Sequence, residues 1–349
     1  MKSSAAPASL RPCSAARRPD SGNAETLAHY GTAEQKRRYL QPLLDNEIVS
    51  AFSMTEPQGG SDPLTFTTAA RLDGGHWVIN GEKWFSTNAR WAEFLIVMAV
   101  TDPDGPPYRR LSMFIVPRET PGVEIVRNVA VGYGHRGGTE GYVRYTDVRV
   151  PLDHMLGERG DAFVVAQTRL GGGRIHHAMR TVGQAKKALD LMCQRVVSRQ
   201  TRDGRLADKQ MVQEKIADSW IELEQFRLLV LRTAWLIDKH KDYRKVRKDI
   251  AAVKAAMPKL YHDIAARALH LHGALGVSDE MPFVGQGHRR LRHGDRRRPD
   301  GSAQGHGRET GAAQLPACER RLPAYHLPKR RDAALEKYAD LLEPIDDEF

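Results

Sequence analysis

Two runs hold most of the side chains that could grip a ligand. The first is Ala51-Phe52-Ser53-Met54-Thr55-Glu56-Pro57-Gln58-Gly59-Gly60-Ser61-Asp62, and the second is Trp77-Val78-Ile79-Asn80-Gly81-Glu82-Lys83-Trp84-Phe85-Ser86-Thr87-Asn88. A glycine without a side chain lets the backbone approach a ligand closely. Taken singly, Gly59-Gly60-Ser61 is equally an ordinary tight turn, and Phe52 and Phe85 are equally plain core. Two histidine pairs, His176-His177 and His270/His272, invite a metal reading. Neither has an i,i+4 spacing with a nearby carboxylate, so no metal is expected. Cys13, Cys193 and Cys318 are scattered, which suits a reducing compartment better than a disulfide framework.

The elements that must position these residues follow from periodicity. From Ile48 to Pro151 short apolar or alternating runs recur: IVSAFSM, FTTAARL, HWVIN, FLIVMAV, SMFIV, VEIVRNVAV and YVRYTDVRV. Turn signals at Asp73-Gly74-Gly75, Asn80-Gly81 and Asp104-Gly105-Pro106-Pro107 separate them, which predicts a barrel or sandwich. After Gly157 the period becomes helical. Ile175, Met179, Val182, Leu189, Met192 and Val196 form one stripe. Val212, Ile216, Trp220, Leu223, Phe226, Val230, Ala234 and Ile237 form a second. Ile250, Val253, Met257, Leu260, Ile264, Ala268 and Leu271 form a third. Three long amphipathic helices predict an antiparallel bundle, with a break at Asp203-Gly204. Ala24–Ile48 reads as a short helix and a return loop, and Lys329–Glu343 as a further helix.

In that order, on those elements, the two runs resemble the flavin signatures of the acyl-CoA dehydrogenase family. Tyr30-Gly31-Thr32-Ala33-Glu34-Gln35-Lys36 and Tyr39-Leu40-Gln41-Pro42-Leu43-Leu44 resemble the end of that family's N-terminal helical domain. The similarity covers about residues 21–284 and resumes near His326. It is strongest to the branch found beside a phosphotransferase-like kinase fold, and to its stand-alone bacterial relatives.

The implied fold is α+β: remnant N-terminal helices (21–47), a middle β-barrel domain (48–156) and a C-terminal antiparallel bundle (157–284). Residues 1–20 would be an aberrant leader, 285–325 an off-pattern and disordered stretch, and 326–349 a terminal helix.

The resemblance also implies FAD as cofactor. It lays Phe52, Met54 and Thr55 along the flavin ring, with the Thr55 hydroxyl near its reactive nitrogen. It puts Gly60 and Ser61 near the pyrophosphate or the thioester, and Phe85, Ser86 and Thr87 over another part of the ring. The family usually has Trp where Phe85 stands, so stacking survives while an indole donor is lost. Arg199 and Thr201 match residues that reach the flavin diphosphate, although Arg202 replaces the aromatic residue that usually follows. His270 and Gly273 belong to a run, His270-Leu271-His272-Gly273-Ala274-Leu275-Gly276, that matches a loop touching a neighbouring subunit's cofactor. Arg174 matches a basic residue beneath the thioester pocket.

In such enzymes a carboxylate removes the α-proton of an acyl-CoA while the β-hydrogen leaves as hydride to the flavin. Hydrogen bonds to the thioester oxygen stabilise the enolate-like charge that develops. The usual base stands just beyond the third long helix, which here falls in residues 285–325. The position some relatives use instead matches Gly173. Asp295 and Asp300 have nothing around them in sequence to orient them, so no catalytic base is assigned. The expected product is the trans-2-enoyl-CoA, with electrons passing to an electron-transferring flavoprotein. The alternative is a non-catalytic flavin or acyl-CoA binder. Relatives of this kind assemble as dimers or tetramers through the bundle.

The net charge of +10 raises a nucleic-acid reading. Residues 1–20 carry four basic groups against one acid, and residues 285–331 twelve against four, so the other 282 residues sum to −1. The basic tail has only Tyr325 for stacking, and no nucleic-acid partner is expected. No apolar run approaches the ~18–20 residues of a membrane span. The Ser-, Ala- and Arg-rich leader would suit a mitochondrial matrix protein if it is a transit peptide; a bacterial chain of this kind would be cytoplasmic. Residues 285–325 resemble a high-GC gene read out of frame. The encoding DNA is therefore expected to hold a neighbouring frame, across codons 298–314, that continues an amphipathic helix; sequencing that finds none overturns this reading.

Overall fold

The computed structural model describes residues 20–60, 62–129, 139–243 and 245–284, in two compact units divided between Arg169 and Leu170. The leader, Ser61, the stretch from 285 on with Asp295 and Asp300, and the helix expected over 329–343 lie outside the described residues.

The first unit opens with α1 (Asp20–Tyr30), α2 (Ala33–Gln35), a π-helical turn (Lys36–Leu40) and α3 (Gln41–Leu44). Thr32 and Gln35 close a reciprocal capping box that starts α2. Seven strands follow: β1 (Ser50–Ser53), β2 (Ala69–Asp73), β3 (His76–Thr87), β4 (Phe94–Val100), β5 (Leu111–Pro117), β6 (Val123–Val129) and β7 (Glu140–Pro151). They form one curled sheet in the order β1-β4-β2-β3-β7-β6, with β5 paired to β4. Strand β1 runs parallel to β4 from Ser50 opposite Phe94 to Ser53 opposite Val97, while β2 reaches β4 only where Ala69 meets Val100.

The run FLIVMAV has no polar face because β4 is buried on both sides. Phe94, Ile96 and Met98 face one apolar cluster, together with Leu27, Tyr39 and Leu43 of the helices and Phe52 of β1. Leu95, Val97 and Ala99 face the other, with Trp77, Ile79, Val143 and Tyr145. A register slip of one residue would exchange the two cores, so the pairing is strongly specified.

Two turn signals resolve differently. Gly74 and Gly75, both at positive φ, make the two-residue hairpin between β2 and β3. Asn80-Gly81 is not a turn: β3 continues through it with a register shift between Ile79 and Gly81. A Cβ at Gly81 would lie 2.6 Å from the Thr68 Cα, so the glycine serves a close backbone approach inside a bulged strand.

The second unit contains α4 (Ala162–Ser198) from residue 170 on, α5 (Gln210–His240) and α6 (Arg247–His272). The expected break at Asp203-Gly204 is a tight ribbon of β8 (Gln200–Thr201) and β9 (Gly204–Arg205). Val182, Leu189 and Met192, then Leu223, Phe226 and Val230, then Val253, Met257 and Ile264 form one core, as three stripes require. Trp220 departs from its stripe: it is 59% exposed, and it joins Ile221, Leu228, Leu231 and Trp235 on an outward apolar face of α5. No described helix is long and apolar enough to cross a membrane.

Candidate functional site

The two signature runs become neighbours because a buried ion pair joins them. Lys83 Nζ on β3 lies 2.7 Å from Glu56 Oε1 in the loop after β1, and both side chains are essentially without solvent contact. Nζ also donates to the Met54 carbonyl at 2.9 Å and sits 4.5 Å from the Phe66 ring centroid. Glu56 accepts the backbone N–H groups of Thr67 (2.7 Å) and Thr68 (3.0 Å), the Thr67 hydroxyl and the Gln58 amide. The Trp84 backbone N–H donates to the Thr55 carbonyl at 2.7 Å. Burial pulls the Lys83 ammonium down to about 8 against the opposing pull of Glu56. Burial also pushes the Glu56 carboxyl up, but the charge of Lys83 and the hydrogen bonds from Lys83, Thr67 and Thr68 outweigh it, and the group lies below its ordinary value.

With Met54 and Thr55 fixed through their carbonyls, the Thr55 hydroxyl has no protein partner among the described residues. Gly59 is a steric necessity, because a Cβ there would strike the Thr65 side chain. Gly60 is exposed and a Cβ would meet nothing closer than 3.5 Å, so its backbone is open to an incoming group. Phe52 is buried in the β1 core, with the Arg169 guanidinium over its ring.

Phe85 stands out more sharply. It holds φ +58° inside a second register shift of β3, between Lys83 and Ser86, and its ring is 40% exposed. A bulky residue in left-handed backbone is strained, and such strain gathers at functional sites. Bulges re-aim side chains in the same places. Trp84 packs beside it, ring centroids 5.0 Å apart, with a buried indole N–H that has no acceptor among the described residues. An indole donor is therefore present one position earlier than the resemblance places it.

The hydroxyls of Ser86 and Thr87 are taken up within the protein. Ser86 pairs with Ser53 at 2.8 Å, which pairs in turn with the buried Tyr145 hydroxyl, and Thr87 donates to Glu140.

In the second unit Arg199 is exposed at the end of α4. The Thr201 hydroxyl donates to the Gly204 carbonyl at 2.6 Å, which closes the ribbon and leaves only its lone pairs for a ligand. His270 is exposed on the last turn of α6, and Gly273 ends that helix at φ +63° with open space about its Cβ position. Arg195 reaches the His272 carbonyl at 3.5 Å, which brings the ends of α4 and α6 together and gathers Arg199, Thr201, His270 and Gly273 at one end of the bundle. Arg174 is buried on α4, with a partner inside the protein.

Glu56 and Lys83 stand in the two signature runs with no role evident from sequence alone. The available signal was an acid and a base in two otherwise apolar and hydroxyl-rich runs, where an unpaired charge is costly. Arg169 and Tyr145 carry no such signal, because only the packing brings them to Phe52 and Ser53.

The middle-domain profile of acyl-CoA dehydrogenases matches residues 51–148, and the C-terminal-domain profile matches residues 160–295. The acyl-CoA dehydrogenase FadE2 of Mycobacterium tuberculosis is 45% identical over 270 residues, 76% of this chain and 66% of that protein. Acyl-CoA dehydrogenase family member 11 of mouse is 40% identical over 273 residues, 76% of this chain and 35% of that protein. A solved acyl-CoA dehydrogenase structure from Mycobacterium abscessus superposes with a TM-score of 0.75 at 37% identity, covering 79% of this chain and 69% of that one. The chain thus spans just under two thirds of the mycobacterial relative's length and about a third of the mouse one.

Members of this family depend on FAD. Within the first unit the residues present fit that group: a displayed aromatic ring, a free hydroxyl and an open glycine backbone suit a flat ring with a polar edge and a phosphate-bearing tail.

Removing one partner of the buried pair leaves an uncompensated charge, at a cost of about 3–5 kcal/mol. Glu56→Gln and Lys83→Met are each expected to lower stability by that order in urea unfolding, and the double variant by much less. Glu56 titrates below its ordinary 4.5 in the folded chain, so the unfolded chain binds more protons as the pH falls through that region. Its contribution is present above 4.5 and is lost as the pH falls through the folded value. The acid limb of stability against pH is therefore expected to be flatter in Glu56→Gln; identical limbs contradict the assignment.

Proposed function

The chain belongs to the acyl-CoA dehydrogenase family, and from that premise we propose that it oxidises an acyl-CoA thioester to the trans-2-enoyl-CoA with FAD, passing the electrons to an electron-transferring flavoprotein. The observation that carries this reading is a strained, exposed Phe85 and a free Thr55 hydroxyl on two segments locked together by Glu56 and Lys83. FAD, when bound, supplies the acceptor for the β-hydrogen.

The chain's own residues bind and orient. Phe85 offers an exposed flat apolar surface, the resemblance lays the buried Phe52 along the same ring, Thr55 offers a hydrogen-bond donor to a polar ring edge, and Gly60 offers open backbone. By the same resemblance Ser61, the next residue in sequence, serves the pyrophosphate or the thioester. Arg199 brings positive charge to a diphosphate, and His270 and Gly273 stand at the same end of the bundle. Arg174 serves the thioester pocket.

The outward face of α5, with Trp220, Ile221, Leu228, Leu231 and Trp235, supports assembly as a homodimer or tetramer, because several large apolar side chains exposed on one side of a helix mark an interaction surface. A second reading, a flavin or acyl-CoA binder without dehydrogenase activity, is favoured by one observation: the bundle position that holds a base in some relatives is Gly173 on α4, which has no carboxylate to offer.

The visible spectrum of the purified chain, recorded anaerobically on the oligomer fraction from size exclusion, separates the readings. Flavin absorption that bleaches on adding an acyl-CoA is the expected result. Flavin that stays oxidised across short-, medium- and long-chain thioesters overturns the dehydrogenase in favour of the binder. A colourless protein that FAD cannot reconstitute overturns both.

A further inference from the structure

Arg169 places a cation where apolar packing alone would have called for a hydrocarbon. Its guanidinium carbon lies 4.0 Å from the centroid of the Phe52 ring, within cation–π range. Its Nε donates to Asn23 Oδ1 at 2.9 Å. Asn23 Nδ2 donates to Ser50 Oγ at 2.8 Å. Ser50 gives both its backbone N–H (2.8 Å) and its hydroxyl (2.6 Å) to Asp20 Oδ1.

Asp20, Asn23 and Ser50 are all buried, so this is a closed polar network and not a solvated surface chain. Helix α1 makes room for the arginine stem with Gly22, where a Cβ would stand 2.9 Å from Arg169 Cγ. Ser50 and Phe52 are two residues apart on β1 and share a face of the strand. The groups that anchor Ser50 therefore also fix the backbone from which the Phe52 ring projects. Helix α1, strand β1 and the first turns of α4 converge on one aromatic ring.

We propose that Arg169 is a positioning residue for Phe52 and the fixed positive charge that raises the reduction potential of a flavin bound against that ring. The proposal rests on the flavin reading above, which sets Phe52 along the flavin. Dehydrogenation sends the substrate's α-hydrogen away as a proton and its β-hydrogen to the flavin as hydride, so the reduced flavin gains one negative charge. A guanidinium stays protonated at any working pH, and a nearby fixed cation favours the more negative partner, while the Asp20 and Glu25 carboxylates that act on Arg169 oppose it in part. The stacked guanidinium also restricts the Phe52 ring before the ligand arrives, which lowers the ordering cost of binding.

The test uses Arg169→Met and Arg169→Gln, which remove the charge, and Arg169→Lys, which keeps it but loses the planar stack. The midpoint potential of the FAD-loaded protein is read by anaerobic dye-coupled titration. Either neutral variant is expected to lower it by about 30 mV or more, a tenfold change in the equilibrium constant of a two-electron couple. Arg169→Lys is expected to hold the potential while its FAD affinity falls severalfold. An unchanged potential in a folded neutral variant overturns the electrostatic half of the proposal.

The positioning half is read on the apoprotein, from thermal midpoints of Arg169→Met, Phe52→Leu and the double variant. Shifts that fail to add support the clamp, and shifts that add overturn it. If the wild-type chain takes up no FAD, the flavin reading fails and the electrostatic half with it, whereas the thermal cycle still decides the clamp.

Discussion

The Glu56–Lys83 pair is the contact on which the candidate site depends. A lysine and a glutamate withdrawn from water are tolerated only with good geometry and with their remaining donors and acceptors satisfied. Here they are. Lys83 reaches one carboxylate oxygen and the Met54 carbonyl, and Glu56 collects the N–H groups of Thr67 and Thr68. The consequence is mechanical. Loop 54–60, strand β3 and the segment leading into β2 cannot shift against one another without stranding a charge in the interior. Thr55 and Phe85 lie one residue before the glutamate and two after the lysine, and they inherit that register.

Around this pair the sheet behaves as a rigid bearing. Strands β4 and β5 divide their alternate residues between two cores, which fixes their register from both sides. Strand β3 is less regular, with register shifts at Ile79/Gly81 and Lys83/Ser86. A strand bulged twice within twelve residues is poorly suited to regular pairing and well suited to turning particular side chains outward. The bulges bracket Lys83, so the residue that locks the register sits between the two places where the register changes.

Much of this was legible in the sequence. Seven short apolar runs predicted seven strands, and three helical stripes predicted α4, α5 and α6, because burial on one face or two leaves a period that single residues cannot hide. The order of the two signature runs led to the family. What the sequence withheld was local geometry that depends on partners distant along the chain. Asn80-Gly81 has the composition of a hairpin turn, yet it lies mid-strand because Thr68 leaves no room for a Cβ at Gly81. Trp220 fits a helical stripe, yet it faces outward because its angle about α5 falls beside the core face formed by Leu223, Phe226 and Val230. The roles of Glu56, Lys83 and Arg169 became visible only once β1, β3 and α4 were brought together.

If the buried pair holds the candidate site by fixing register, beyond any share it has in stability, then removing it must cost cofactor affinity in a chain that still folds. The most direct measurement is the equilibrium FAD affinity of the Glu56→Leu/Lys83→Met double variant, followed by flavin fluorescence quenching. Replacing both members of a buried pair by apolar residues of similar size commonly leaves a fold intact. The folded double variant is expected to bind FAD at least about tenfold more weakly than the wild type, the loss that follows from about 1.4 kcal/mol of misplacement. A folded double variant that binds FAD as tightly as the wild type would contradict it.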